Sequence, residues 1–321
     1  MSERPLRAEA GPGARAARAA PEQLHGRIVA LARNGSYEIA AGEPDTLDAA
    51  AEMLPPGCEI SITWLPKDDD VTRITAARRI RERGFVPVPH IAARMVESEA
   101  NLASLLGRLS DAAGVGKILA ISGDARHSHG PFADSSAMIA SHAFAEARLE
   151  EVALGGYPEG HPGLDRGELN HILDAKIAKL RELAIRPSIV TQFCFDAKPI
   201  EWWLQDFRQR YEEVPVRIGL AGPAGVRTLM RYARICGIGP SAKALVSRGA
   251  SIARLLMEST PDPIITDLAG SPNYQSFKPV GFHFFPFGGL ERTAEWVTAI
   301  AAGRFRLRSS ESGFAADIAK P

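Results

Sequence analysis

Eight times along this chain a short run of β-branched or apolar residues is followed by a longer stretch of other character, and no other feature restricts the fold as strongly. The runs are GSYEIAA (35–41), CEISITWL (58–65), FVPVPHIAA (85–93), KILAISGD (117–124), EEVALGGY (150–157), PSIVTQFCFD (187–196), PVRIGLAG (215–222) and GFHFFPFG (281–288). Most of the intervening segments, such as VTRITAARRIRERG and GELNHILDAKIAKLRELA, have helical periodicity and span three or more turns. Such alternation builds β-α-β units on a parallel sheet, and eight units predict an α/β chain folded as a closed (β/α)8 TIM barrel. No G-x-G-x-x-G follows the first strand and no Walker A pattern occurs, so a Rossmann dinucleotide site is not supported. Gly84, Gly114 and Gly237 stand where helix C-caps are expected. The seventh unit is oversized: GPSAKALVSRGASIARLLM (239–257) predicts an extra helix before the last strand.

The expected organisation is a disordered arm over residues 1–22, a single catalytic barrel over 23–306 and a flexible tail over 307–321. The arm is rich in Ala, Arg, Pro and Gly and too poor in large apolar side chains to offset its chain entropy. Glu3, Glu9 and Glu22 argue against a transit peptide. Hydrophobic content of 45% is ample for a core, and 38 basic against 38 acidic residues leave no net charge, which gives no support to a nucleic-acid partner. No apolar run approaches the roughly 20 residues of a membrane helix. Cys58, Cys194 and Cys236 are odd in number and widely spaced, so neither a disulfide framework nor a zinc knuckle is indicated and a reducing cytoplasm is expected.

In such barrels the active site lies at the C-terminal ends of the strands. Polar residues gather there: Glu38 in the first strand, Thr63 and Trp64 at the end of the second, and His90 at the end of the third. Asp124 ends the fourth, Tyr157 with Glu159 and His161 the fifth, and Gln192 with Asp196 the sixth. Each has a plain structural alternative: a hydrogen-bonded histidine, a helix N-cap for Asp196, a solvated carboxylate for Glu159. Glu38 and Gln192 stand out because an unpaired polar group inside an apolar strand is costly. A Schiff-base lysine is not supported, since Lys117 begins its strand and so sits at the opposite face. Asp124, His127 and His129 read as a solvated loop before a metal site, and no metal is expected. The GLAGPAG segment (219–225) could cradle a phosphate or simply turn the chain. Trp202 and Trp203 read as packing residues before a partner surface.

Taken in order, SYEI (36–39), SIT (61–63), PH (89–90), GD (123–124), GYPEGHP (156–162), TQFCFD (191–196) and GFHFF (281–285) resemble the methylenetetrahydrofolate reductases. The resemblance implies an FAD enzyme that takes hydride from NADH or NADPH and passes it to 5,10-methylenetetrahydrofolate, giving 5-methyltetrahydrofolate. It implies Glu38 as the general acid on the leaving folate nitrogen, and burial is expected to raise its proton affinity. It implies Asp124 near the flavin and pterin and Gln192 on the pterin edge. Thr63, His90, Ser122, Gly123, Asp124, Phe132, Ala133, Tyr157, His161 and Lys176 match positions that hold FAD, and a homo-oligomer is the inherited expectation. Two departures stand out. Ile39, Ala40, Ala41 and Gly42 replace the family's Phe-Phe-Pro-Pro, and Ser122 replaces an arginine, for which Arg126 is a candidate substitute. Alternatives are the same chemistry run as 5-methyltetrahydrofolate oxidation, or a tetrahydrofolate-binding barrel without flavin.

Overall fold

The computed structural model describes residues 19–238, 258–309 and 312–318. Eight strands form one closed parallel barrel: β1 (Ser36–Ala40), β2 (Glu59–Thr63), β3 (Val86–Ala92), β4 (Lys117–Ile121), β5 (Glu151–Gly156), β6 (Arg186–Thr191), β7 (Val216–Ala221) and β8 (Val280–Phe285). Each pairs with the next in sequence, and β8 closes on β1 with Ser36 opposite His283 and Tyr37 opposite Phe284. The fold read from the alternation is therefore the fold observed.

Helix α1 (Pro21–Ala32) precedes the barrel, and α2 (Pro44–Ala50), α3 (Asp70–Glu82) and α4 (Glu99–Ala113) follow the first three strands. Two short helices, α5 (Ser135–Ile139) and α6 (His142–Ala145), span the link from β4 to β5, where the sequence shows no long amphipathic stretch. Then come α7 (Arg166–Glu182), α8 (Ala197–Arg210), α9 (Val226–Ile235), α10 (Asp262–Gly270) and α11 (Leu290–Ala301). The helix expected over 239–257 lies outside the described residues; between there and β8 the described part holds α10 and a 3-10 turn, Tyr274–Phe277.

Local chemistry fixes these ends. Asp69 accepts from the Thr72 amide at the start of α3, and Ser98 does the same for Asn101 in α4. Gly84, Gly114 and Gly237 all adopt positive φ (82°, 57° and 68°), as C-capping glycines do. No helix among the described residues is long and apolar enough to cross a membrane.

Strand alternation sends Tyr37 and Phe284 outward, where their rings stack at 5.8 Å and Phe284 meets Trp296 of α11. Ser36, Glu38 and His283 point inward. The barrel floor is an ion-pair network: Lys117 Nζ lies 2.8 Å from Glu59 and 2.6 Å from Glu151, and Arg217 Nε lies 3.0 Å from Glu59. This places Lys117 at the N-terminal face, away from any strand-end chemistry. Arg208 on α8, buried, donates to the carbonyls of Tyr211, Val214, Phe277 and Pro279 and ties α8 to the segment leading into β8.

Two boundaries differ from expectation. α1 begins at Pro21, inside the span read as an arm, because Ile28, Leu31 and Ala32 bury one face of it. The tail read as loose from Leu307 instead returns as a hairpin, β9 (Phe305–Leu307) with β10 (Phe314–Ala316). Phe314 is the reason: it is buried against Trp296 and Phe305, with ring centroids at 5.8 and 4.7 Å.

Candidate active site

The strands bring Glu38 from β1, His90 from β3 and His283 from β8 together inside the barrel. Glu38 Oε2 lies 3.4 Å from His90 Nε2 and 3.8 Å from His283 Nε2. Burial opposes the charge on Glu38, yet the hydrogen-bonding pull of His283 and the positive charge of both imidazoles outweigh it and hold the carboxyl below its ordinary range. The expectation of a raised proton affinity is thus corrected: burial acts in that direction, but two histidines distant in sequence reverse it. At 3.8 Å the His283 contact is a long one. His90 is also held below its ordinary range: burial lowers its proton affinity, the Glu38 charge opposes that, and His283 adds to the lowering.

Thr63 Oγ1, at the end of β2, is buried with no hydrogen bond among the described residues, and the Nε2 atoms of His90 and His283 meet Glu38 only at ion-pair distance. Gln192, just after β6, spends Oε1 on the Phe193 amide at 3.1 Å, leaving its amide nitrogen to donate. Trp64 has one face covered by the Arg73 guanidinium, 3.4 Å from the ring centre.

Asp124 sits exposed in the turn after β4, and its charge joins burial in raising the Tyr157 phenol. Tyr157 meets His161 edge to face at 5.1 Å, so the two residues that follow β5 act as one wall. Gly123 adopts φ +87°, and a Cβ there would lie 3.1 Å from that of Ala92. Ser122 accepts from the Ser135 amide at 3.3 Å. Phe132 is packed into the main core and Ala133 is exposed, its carbonyl accepting from Arg94 at 2.8 Å. The same guanidinium reaches the carbonyls of Gly123 and Ala125 at 3.4 Å. Arg94, missed in the sequence, therefore braces the loop that carries Asp124, whereas Arg126 is exposed.

A cleft opens between the end of β5 and α7, lined by Gly155, Gly156, Tyr157, Arg166, Asn170 and Lys176 among others. Lys176 Nζ donates to Ser135 Oγ at 2.8 Å; burial lowers its proton affinity and Asp134 opposes that. Asp165 and Glu168 are occupied by a reciprocal capping box at the start of α7. Asn170 is tied to Asp206 and Arg210 on α8. Asp196 caps α8 by accepting from Lys198, its plain structural reading. Glu159 interacts with the buried Cys194 thiol, which burial and that carboxylate push up. Among the described residues no group of three or more His, Cys, Asp or Glu is placed to hold a metal ion.

Helix α9 is capped by Cys236, whose thiol burial raises to about 11, with the charges of Asp124 and Glu38 adding to the rise. Next to it, a Cβ on Gly237 would come 2.7 Å from Pro162 Cγ. Tyr232 of α9 stacks on Phe287 at 4.0 Å, joining Phe193, Phe195 and Phe285 in an aromatic cluster above β6, β7 and β8. The FHFFPF run was the available signal.

The family model for methylenetetrahydrofolate reductase matches residues 45–248. That stretch runs from α2 past β7 and includes Asp124, Tyr157, Lys176 and Gln192. Glu38 and His283 lie on either side of it, and closure of the barrel between β8 and β1 unites them with the matched part. A closed eight-stranded barrel, a largely buried carboxylate inside it and a family match over well more than half of its length together place this chain in the methylenetetrahydrofolate reductase family, reductases that act on folate.

Proposed function

We propose that the protein reduces 5,10-methylenetetrahydrofolate to 5-methyltetrahydrofolate with NADH or NADPH, in two ping-pong half-reactions through FAD. The observation that carries this reading is Glu38, held inside the barrel 3.4 and 3.8 Å from two histidines.

The residues present fit a flavin. Thr63 Oγ1 is a buried hydroxyl without a protein partner, and the β5–α7 cleft supports a cofactor with the Tyr157–His161 wall and the Lys176 ammonium. Gly155 and Gly156 keep the cleft floor bare: a Cβ on Gly155 would meet the Tyr157 hydroxyl at 3.1 Å. Lys176 would neutralise phosphate, and Thr63, His90, Tyr157 and His161 would line the ring system. FAD supplies hydride acceptance from the nicotinamide and hydride donation to the folate carbon.

The protein's own work is then acid catalysis and charge placement. Glu38 gives a proton to the leaving folate nitrogen; the carbon–nitrogen bond breaks with its electron pair left on that nitrogen, and a folate iminium cation results. Asp124 stabilises that cation by its negative charge. Gln192 donates to the pterin edge. The same groups serve the reverse oxidation, and steady-state rates measured in both directions separate the two roles.

The test is the visible spectrum of purified protein under anaerobic conditions. A flavin band that bleaches with NADH and returns on adding methylenetetrahydrofolate supports both half-reactions. A protein that stays colourless in excess FAD sinks the flavin reading and leaves a folate-binding barrel, the alternative that Ser122 motivates. Within the flavin reading, Lys176→Met is expected to weaken FAD binding about tenfold to a hundredfold by removing a charge-assisted phosphate contact. Thr63→Val should cost about threefold to tenfold, one hydrogen bond. Both are measured by flavin fluorescence titration, and unchanged affinities would remove these residues from the cofactor site.

A further inference from the structure

Ser36 and His283 are not accounted for by the site as described. They face each other across the seam where β8 closes on β1, both 1% exposed, and Ser36 Oγ lies 2.9 Å from His283 Nδ1. Ser36 Oγ also lies 3.4 Å from the Phe282 carbonyl, to which it can donate. Whichever way the hydroxyl proton points, Nδ1 is engaged and the ring is held. Only Nε2 is left to face Glu38, and it has no hydrogen-bond partner among the described residues. A buried imidazole fixed at one nitrogen and aimed at a carboxylate with the other is the usual way to set a side chain's orientation and charge state.

We propose that His283, oriented through Nδ1 by Ser36, is a positioning residue for folate reduction that governs when Glu38 gives and takes its proton. The proposal rests on the reading of Glu38 as proton donor. When the Glu38 O–H bond breaks and the N–H bond forms on the folate nitrogen, the carboxylate left behind faces Nε2 of His283. His283 steadies that carboxylate while it waits for its next proton from water. Among the described residues the ionisable groups in contact with Glu38 are His90 from β3 and His283 from β8, and its charge is also felt by the Cys236 thiol at the end of α9; Ser61, its register neighbour on β2, does not titrate.

The sign follows from these neighbours. Burial favours the protonated carboxyl, and His283 is one of the two groups that oppose burial. Removing the imidazole therefore lets Glu38 keep its proton to higher pH, and makes it a weaker acid.

The experiment follows the carboxylic-acid band of Glu38 by infrared difference spectroscopy in the full chain, assigned by its loss in Glu38→Gln. In His283→Gln the pH midpoint of this band is expected to rise by about one unit or more, and in Ser36→Ala by less in the same direction. Rapid-mixing measurements on the FAD-loaded protein provide the second readout. The alkaline limb of flavin reoxidation by methylenetetrahydrofolate moves up with the band, and its plateau falls about threefold to tenfold, as for a weaker acid. The pH profile of flavin reduction by NADH stays put. An unmoved band in both His283→Gln and Ser36→Ala overturns the proposal, as does a loss shared equally by both half-reactions with no shift of either limb. Should Glu38→Gln retain folate-dependent reoxidation, the donor reading itself fails; the band shift in His283→Gln is read without substrate and reports separately whether His283 controls the Glu38 proton.

Discussion

Glu38→Gln is expected to slow flavin reoxidation by methylenetetrahydrofolate by about 10²- to 10⁴-fold, the usual worth of a positioned general acid. Reduction of the flavin by NADH should remain within about threefold of the parent, because no proton need pass to the nicotinamide through Glu38. Glutamine keeps the size and hydrogen-bonding capacity of the side chain, so the loss reads the missing proton and not a cavity. The substitution also removes a buried charge that has two histidines nearby, at 3.4 and 3.8 Å. Equal loss of both half-reactions would mean that Glu38 supports the flavin site instead of protonating folate.

The second large effect is on stability. Gly219→Ala in β7 should destabilise the barrel by about 3 kcal/mol or more, through forced overpacking against backbone. A Cβ at this position would stand 2.2 Å from the Thr191 carbonyl oxygen and 2.8 Å from the Phe285 ring, while the Gly219 amide is already bonded to Thr191 Oγ1 at 2.9 Å. Neither the carbonyl nor the strand can yield without opening the β6–β7 seam. Gly225→Ala, six residues on in the same GLAGPAG segment, has nothing within 4 Å of the new methyl and an ordinary φ of −64°. Thermal unfolding should therefore fall by about 5–10 °C for Gly219→Ala and by less than about 2 °C for Gly225→Ala. If the segment held phosphate through its backbone, Gly225→Ala would instead weaken FAD binding at unchanged stability.

These two sites show how different parts of the protein can be read. Periodicity and turn chemistry are local, so the eight strand runs, the glycine caps and the N-cap role open to Asp196 were legible residue by residue. Glu38 and Gln192 drew attention for the same local reason, a polar side chain in an apolar run, although Gln192 lies just past the end of β6. Glycines 219 and 225 look alike in sequence; only the packing of β6 and β8 against β7 separates a crowded position from an open one.

The chain by itself determined the barrel, its strands and the chemical types gathered at their ends, since hydrophobic pattern and residue identity are properties of neighbours along the sequence. The tertiary structure decided what those residues experience. His283 lies 245 positions from Glu38 and reaches it only because β8 closes on β1, which turns an expected rise in the carboxyl's proton affinity into a fall. Arg94 bracing the Asp124 loop, Tyr232 of α9 stacking on Phe287 past β8 and Phe314 drawing the tail onto α11 are of the same kind. Charge and burial act through space, and the sequence does not list distances through space.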